Sequence, residues 1–427
     1  MTWLNLLDRL KRLDQIKRLL HMTNTHTPIR VTAGLNRHGQ GRHFLQIPGP
    51  SNVPDRVLRA IDFPTIDHRG PEFQTLGKRL LEAIKPVFGT QNPVIIYPGS
   101  GTGAWEAAMV NTLSPGDTVL MAETGQFATL WKNLAQKLQL NPEFIAGDWR
   151  TGVNPQDIET RLTNDTSHRI KAVCVVHNET STGVTSDIAA VRSAMDRAKH
   201  PALLMVDTIS GVGSIAYQHD DWGVDVTIAG SQKGLMLPPG LGFNAISDKA
   251  IEASKHATMP NAYWRWDETI AANRNGFWAT TPATNLLYGL AEALDMLYEE
   301  GLDNVFARHM RHAQATRHAV NAWGLEILCS NPQQYSPVLT AVMMPKQADG
   351  SHYSADDFRK FVLENYNMSL GTGLSKLQGW VFRIGHLGHF NDLMLVGTLG
   401  GIEMGMVACG VPHKRGGVQA AMDYLAL

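Results

Sequence analysis

Five short runs of apolar, mostly β-branched residues punctuate the middle of the chain: PVIIY (93–97), TVLMAE (118–123), KAVCVVH (171–177), ALLMVD (202–207) and VDVTIAG (224–230). Each is continuous rather than alternating, the pattern of a strand covered on both faces. Between several of them lie stretches with helical spacing, such as TGAWEAAMVNTL (102–113) and DIAAVRSAMDRAKH (187–200). Strand and helix in alternation predict an α/β fold, a mostly parallel sheet with helices on both faces. After about residue 300 the pattern changes. Helical segments (LDNVFARHMRHAQATRHAVNAWG, 302–324, and SADDFRKFVLENY, 354–366) alternate with LTAVMMP (339–345) and VFRIGHL (381–387), which predicts a smaller α+β domain. The expected division is an N-terminal extension over 1–43, a large domain over 44–303 and a small C-terminal domain over 304–427.

The first residues differ from the rest. WLNLLDRLKRLDQIKRLL (3–20) has apolar residues at helical spacing and a basic opposite face. It lacks the unbroken apolar stretch and small-residue cleavage site of a secretory signal. A helix on the protein surface, or an extension upstream of a start at Met22, is expected ahead of a membrane-surface element. Residues 22–43 read as a polar, turn-rich arm.

Composition narrows the class. The 427 residues carry 38 Lys+Arg against 39 Asp+Glu, a net charge of −1, which argues against a nucleic-acid groove or a polybasic membrane surface. Cys174, Cys329 and Cys409 lie far apart, so neither a disulfide framework nor a zinc cluster is expected, and a reducing compartment is. No apolar run reaches the length of a membrane span. The ending DYLAL is not a Ser-Lys-Leu-type peroxisomal address, so a cytoplasmic setting is the expectation.

In an open α/β sheet, ligands sit beyond the carboxyl ends of the strands. At those ends this sequence has Gly99-Ser100-Gly101-Thr102-Gly103, then Thr124-Gly125-Gln126-Phe127, Asn178-Glu179-Thr180, Asp207, and Ser231-Gln232-Lys233. A glycine-rich helix start suits a phosphate. A lysine suits an aldehyde, a carboxylate suits a protonated pyridine nitrogen, and an aromatic suits a flat ring. That set is what pyridoxal 5′-phosphate requires. The 26-residue step from Asp207 to Lys233 allows one crossover between adjacent strands.

Each cue has an ordinary reading as well. Gly99-x-Gly101-x-x-Ala104 followed by Glu123 also satisfies a dinucleotide fingerprint, which would make an NAD-dependent oxidoreductase. A strand-end Asp is more often a cap, and a Lys beside glycine a solvated loop residue. His309, His312 and His318 alternate with arginines and read as a solvated basic helix face. His386 and His389 adjoin Arg383 and could line the site. No carboxylate-rich or cysteine-rich set joins these histidines, so no metal is expected. Cys329, in EILCSNPQQ, reads as a buried thiol.

The motifs GSGTGAWEAAMVNTLSPGD, VVHNETSTGV, LLMVDTISG, GSQKGLMLPPGLG and VFRIGHLG strongly resemble class V, fold-type I aminotransferases. The resemblance is to the serine–glyoxylate and alanine–glyoxylate branch, with the related bacterial aspartate–glyoxylate enzymes, and it spans roughly residues 44–415. It implies pyridoxal phosphate as cofactor, Lys233 as the Schiff-base lysine and Asp207 as partner of the pyridine nitrogen. It further implies Thr180 on the cofactor's phenolic oxygen, Phe127 stacked on the ring, and Gly101, Thr102, Gly103 and Gln232 at the phosphate. Arg383 would bind the substrate carboxylate, and PGPSNVP (48–54) would be the N-terminal active-site loop. The family is dimeric with shared sites, and GFWATTPAT (276–284) resembles the segment lent to the neighbour. Thr281 is the best match there; Thr280 stands where relatives carry tyrosine, so either threonine is a candidate for the phosphate contact. The implied activity is transfer of an amino group from a small amino acid, serine foremost, to glyoxylate, with aspartate or alanine as alternative donors. A pyridoxal phosphate lyase or desulfurase on the same fold is the further alternative.

Overall fold

The computed structural model describes residues 41–427; the helix expected over 3–20, and the arm up to Gln40, lie outside the described residues. Along the chain the strands are β1 (Phe44–Gln46), β2 (Val94–Gly99), β3 (Thr118–Ala122), β4 (Asn141–Ile145), β5 (Ile170–Val176), β6 (Asn178–Glu179) and β7 (Val184–Thr185). They continue with β8 (Leu203–Asp207), β9 (Val226–Gly230), β10 (Gly240–Ile246), β11 (Glu326–Ile327), β12 (Leu339–Met343), β13 (Met368–Thr372) and β14 (Val381–Gly385).

All five predicted strands fall in one seven-stranded sheet, ordered β2-β10-β9-β8-β5-β3-β4. The pairs β4/β3, β3/β5, β5/β8 and β8/β9 are parallel, whereas β10 runs antiparallel to both β9 and β2. Two of its strands were not expected. β10 (GLGFNAI) begins in a Gly/Pro loop, and two of its first three residues are glycines. β4 (NPEFI) opens with the weak strand formers Asn and Pro, tolerated because it is an edge strand.

Covering on both faces follows from the two-residue period of a strand. Val119 and Met121 pack in one core with Ala172, Cys174 and Val176, beneath Trp105 and Trp131 of the helices Gly101–Thr112 and Gln126–Lys137. The intervening Leu120, Val173 and Val175 pack in another, with Ile158, Ile188 and Val191. Cys174, in the first of these cores, is fully enclosed, and burial pushes its thiol well up.

A second, smaller sheet in the C-terminal part has the order β1-β13-β14-β12-β11. The first described strand, β1, joins it in parallel to β13, so the start of the described chain is built into the C-terminal sheet. Helices Leu302–Trp323, Ala355–Tyr366 and Asp392–Ala408 pack on it through Val320, Trp323, Phe358, Leu395, Leu399 and Ile402.

The expected solvated basic face on the helix Leu302–Trp323 is a correction. His309 and His312 are buried; only His318 of the three is exposed. His309 Nδ1 donates to the Val305 carbonyl at 2.7 Å, and its Nε2 accepts from the Gly388 amide at 3.0 Å. His312 Nε2 lies 3.0 Å from Asp392 Oδ1. Residues three apart share a helix face, and here that face meets the segment after β14 instead of water. His386 is also buried, against Thr340 Oγ1 at 3.1 Å. Among the described residues no group of three or more His, Cys, Asp and Glu is arranged to hold a metal ion.

Candidate active site

β9 ends at Gly230, and a loop over 231–239 turns the chain back into β10. Ser231 closes that turn: its amide donates to the Leu241 carbonyl at 3.0 Å, and its Oγ accepts from the Leu241 amide at 3.1 Å. Lys233 is held inside this loop and is 7% exposed. Its Nζ donates to the Pro48 carbonyl at 2.7 Å, so the 48–54 loop touches the lysine directly. Gly49 makes the approach possible. Its φ is +106°, and a Cβ there would stand 2.4 Å from Nζ. Burial, and then the nearby Arg383 charge, bring the Lys233 ammonium down to about 8, against the opposing pull of Asp207 and Glu179.

Asp207 ends β8, the parallel neighbour of β9, which is the adjacency that the 26-residue step allows. Its Oδ2 accepts from the Trp105 indole at 3.0 Å and its Oδ1 from the Ile209 amide at 2.8 Å. Burial dominates all the same and pushes the carboxyl up to about 7. Trp105 is itself stacked on Trp131, with ring centroids 5.9 Å apart.

Both residues border a cavity of about 250 Å³. Ser100, Gly101 and Thr102 form one wall, at the N-terminus of the helix Gly101–Thr112, where amides lack partners within the helix. A Cβ on Gly101 would sit 2.3 Å from Ile209, another wall residue. Gln232 also lines the cavity, and its buried Oε1 has no hydrogen-bond partner among the described residues. Half-buried Phe127, in the first turn of Gln126–Lys137, and buried Thr180 complete the wall. Thr180 Oγ1 donates to Ser210 Oγ at 2.8 Å.

Arg383 lies on β14 beside this cavity rather than in its wall, close enough to Lys233 to lower the ammonium. Its Nε donates to the Thr372 carbonyl at 2.8 Å and its Nη1 to the Thr180 carbonyl at 2.6 Å. Nη2 makes no hydrogen bond among the described residues. The guanidinium is thus aimed by two main-chain carbonyls while one edge stays available. Burial lowers it to about 10, still a cation at neutral pH.

Five further residues singled out in the sequence fall outside the cavity wall. Gly103 is in the same helix turn, but its amide donates to the Ser100 cap, and a Cβ there would meet the Trp264 ring at 3.0 Å. Its small size therefore serves packing. Thr280 is half-buried and Thr281 exposed, and neither borders the cavity of its own chain. His386 and His389 do not border it either. Conversely, Trp105, Ser210 and Glu179 were missed. A tryptophan within AWEAAM reads as core, and its bond to Asp207 spans 102 positions with no local pattern to betray it.

The sequence profile of Aminotransferase class-V matches residues 43–375. The chain belongs to the class V aminotransferase family. It is 46% identical to serine–glyoxylate aminotransferase of Arabidopsis thaliana, over 91% of this chain and 96% of that one. It is 47% identical to the enzyme of that name from Methylorubrum extorquens, over 90% and 96%. To L-aspartate–glyoxylate aminotransferase of Paracoccus denitrificans it is 45% identical, over 88% and 95%. The solved ureidoglycine–glyoxylate aminotransferase of Bacillus subtilis superposes with a TM-score of 0.83 at 25% identity, covering 91% of this chain and 99% of that chain.

This class V aminotransferase is a pyridoxal phosphate-dependent transaminase of fold-type I. Its cavity fits that cofactor on structural grounds. It gathers a buried amine of lowered basicity, a buried carboxylate, a helix N-terminus and an aromatic ring within one space, and Gln232 brings to it a carboxamide whose NH2 can donate to an anion. Membership of this family sets aside the NAD-dependent oxidoreductase reading of the glycine-rich turn. Among the described residues no helix is long and apolar enough to cross a membrane.

Proposed function

We propose that this aminotransferase moves the amino group of L-serine to glyoxylate, giving glycine and hydroxypyruvate. The observation that carries the donor is the 46–47% identity, over nine-tenths of the chain, to two serine–glyoxylate aminotransferases. A second reading, aspartate as donor, draws on the relative at 45%. Among the described lining residues the only cation is Lys233, with Arg383 beside it, so within one chain a second substrate carboxylate meets no further cation.

When bound, pyridoxal phosphate supplies the carbonyl that takes up the amino group and the ring that accepts the electrons of the broken Cα–H bond. Lys233 Nζ would hold the cofactor at that carbonyl carbon and, once released, take the proton from the donor Cα. Its lowered basicity suits that duty near neutral pH. Asp207 would keep a proton on the ring nitrogen, and the approach of that cation keeps the carboxyl ionised against its burial. The helix start at Gly101 and Thr102, with Gln232, would hold the phosphate. Phe127 would face the ring and Thr180 its phenolic oxygen. Arg383 would grip the α-carboxylate shared by donor and acceptor, through Nη2 and the second proton of Nη1.

The reading extends to assembly. We infer a homodimer in which Thr280 or Thr281 reaches the partner's phosphate, because both lie off their own cavity on a surface segment. We keep 304–427 as the small domain, joined by β1 (Phe44–Gln46), and the rest of 44–303 as the cofactor-binding part. A cytoplasmic location agrees with Cys174, Cys329 and Cys409 as free thiols. The test is a panel of amino donors against glyoxylate with the purified, cofactor-loaded protein. Serine should give the highest kcat/KM; a higher value for aspartate or alanine would overturn the donor assignment while leaving the transaminase intact.

A further inference from the structure

Glu179 is a fully buried carboxylate with no duty in the reaction described above. It ends β6, immediately before Thr180, and the chain turns back there into β7. Four donors converge on it. Oε1 accepts from the Phe127 amide at 3.3 Å, the Ser181 amide at 3.0 Å and the Ser181 hydroxyl at 2.6 Å; Oε2 accepts from the Ala128 amide at 3.1 Å. Ser181 Oγ in turn accepts from the Gln126 amide at 2.9 Å. The first-turn amides of the Phe127 helix thus end on Glu179 and its serine. Gly125 lets them close: a Cβ there would lie 2.5 Å from Glu179 Cγ and 2.4 Å from Ser181 Oγ.

Burial pushes the Glu179 carboxyl up, and hydrogen bonds from Ser181, Ala128 and Phe127 oppose that rise. A carboxylic acid needs an acceptor for its proton, and three of the four contacts are amides, which only donate. An ionised carboxylate uses all four, and the positive end of the helix favours it further. The charged groups that face Lys233 are Arg383 from β14, Asp207 from β8 and Glu179 from β6. Two buried cations thereby stand with two buried anions, and Asp207 alone would leave one positive charge unmatched.

We propose that Glu179 is a positioning residue: an ionised carboxylate that clamps the Phe127 helix to the Thr180 turn and supplies the negative charge that balances Lys233 and Arg383. The clamp fixes two walls of the cofactor cavity from outside it. The charge sustains the Lys233 ammonium, opposing the desolvation and the Arg383 repulsion that lower it. Glu179 therefore acts through Phe127, Thr180 and Lys233, with no contact to substrate.

Glu179→Gln and Glu179→Asp separate the two duties. In the full-length chain stripped of cofactor, the pH midpoint of Lys233 is read from its modification by trinitrobenzenesulfonate, located by peptide mass spectrometry. The wild-type midpoint should lie at about 8. E179Q removes the negative charge, so the midpoint should fall by at least about half a pH unit. Mere damage to the fold would expose the lysine and move the midpoint up, towards that of an ordinary lysine. E179D keeps the charge and should keep the midpoint, yet it draws the carboxylate back from the Phe127 and Ala128 amides. It should therefore bind pyridoxal phosphate about tenfold more weakly, the loss of roughly one hydrogen bond to a charged group. An unchanged or raised midpoint in E179Q overturns the charge balance. Should E179Q fail to fold, E179D decides alone: wild-type cofactor affinity overturns the clamp, and a midpoint displaced downwards overturns the balance. The lysine titration needs no turnover, so it stands apart from whether serine is the donor.

Discussion

Replacing Asp207 by asparagine should stabilise the cofactor-free protein while destroying its activity. The carboxyl stands at about 7 when folded, against the ordinary value of 3.8, and burial is the main cause. For an acid raised on folding, the folded state holds the proton more tightly than the unfolded chain. Below pH 4 both forms are protonated and the residue costs nothing. Between pH 4 and 7 the unfolded chain gives up its proton first, and the folded state loses stability steadily; above 7 the loss is constant. The gap from 3.8 to about 7, at 1.36 kcal/mol per pH unit, is about 4 kcal/mol. That is an upper bound, because water entry and relaxation soften the burial of a charge. Asparagine has no such titration and can still accept from the Trp105 indole. Urea midpoints of the two cofactor-free chains should therefore diverge as pH rises from 4.5 to 8, in favour of D207N. With cofactor bound the order should reverse, and kcat should fall at least about a hundredfold. A stability difference that does not change with pH would refute the argument, since it would mean that Asp207 is not desolvated in the folded chain.

Cofactor capture should depend on pH through Lys233. Only the neutral amine attacks, so the rate at which the stripped protein takes up pyridoxal phosphate should rise about tenfold per pH unit and level off above about 8, followed by stopped-flow absorbance. Arg383→Ala removes one member of a buried charge pair, a cost of about 2–5 kcal/mol, so kcat/KM should drop by roughly thirtyfold to several thousandfold in both half-reactions, with Arg383→Lys recovering part. The visible absorption of the bound cofactor should survive that change; loss of cofactor with normal kcat/KM in the remainder would make Arg383 structural. The Thr280→Ala, Thr281→Ala double variant should weaken cofactor binding, and sedimentation should find the smallest active species to be a dimer; an active monomer would refute the sharing.

The sequence carries a feature well when that feature is local. Lys233 and Asp207 stand at the ends of continuous apolar strands, so the sheet rule and the chain order name them together. β10 evades the same reading because its glycines interrupt the apolar run, and it needs β2 and β9 on either side to exist. His309 and His312 evade it because arginines surround them in sequence, whereas their environment comes from Gly388 and Asp392, some eighty positions on. Glu179 was quoted within its motif yet given no duty, since its partners at Phe127 and Ala128 lie 52 and 51 positions away. Non-local contacts of this kind leave no period along the chain.

The attachment of β1 has a mechanical meaning. Residues 44–46 belong to the second sheet, and two residues later Pro48 offers its carbonyl to Lys233 on the first. Pro48 rests on that second sheet: a Cβ on Gly371 would lie 2.8 Å from its ring. Arg383 is carried by β14, which shares β13 with β1. The acceptor that parks the amine and the fork proposed for the carboxylate are therefore carried by one sheet, and each spans to the other side of the site, Pro48 to Lys233 and Arg383 to the Thr180 carbonyl. The spacing between amine and fork is thus set by how β1 and β14 are tied through β13, a seam far from either group in sequence.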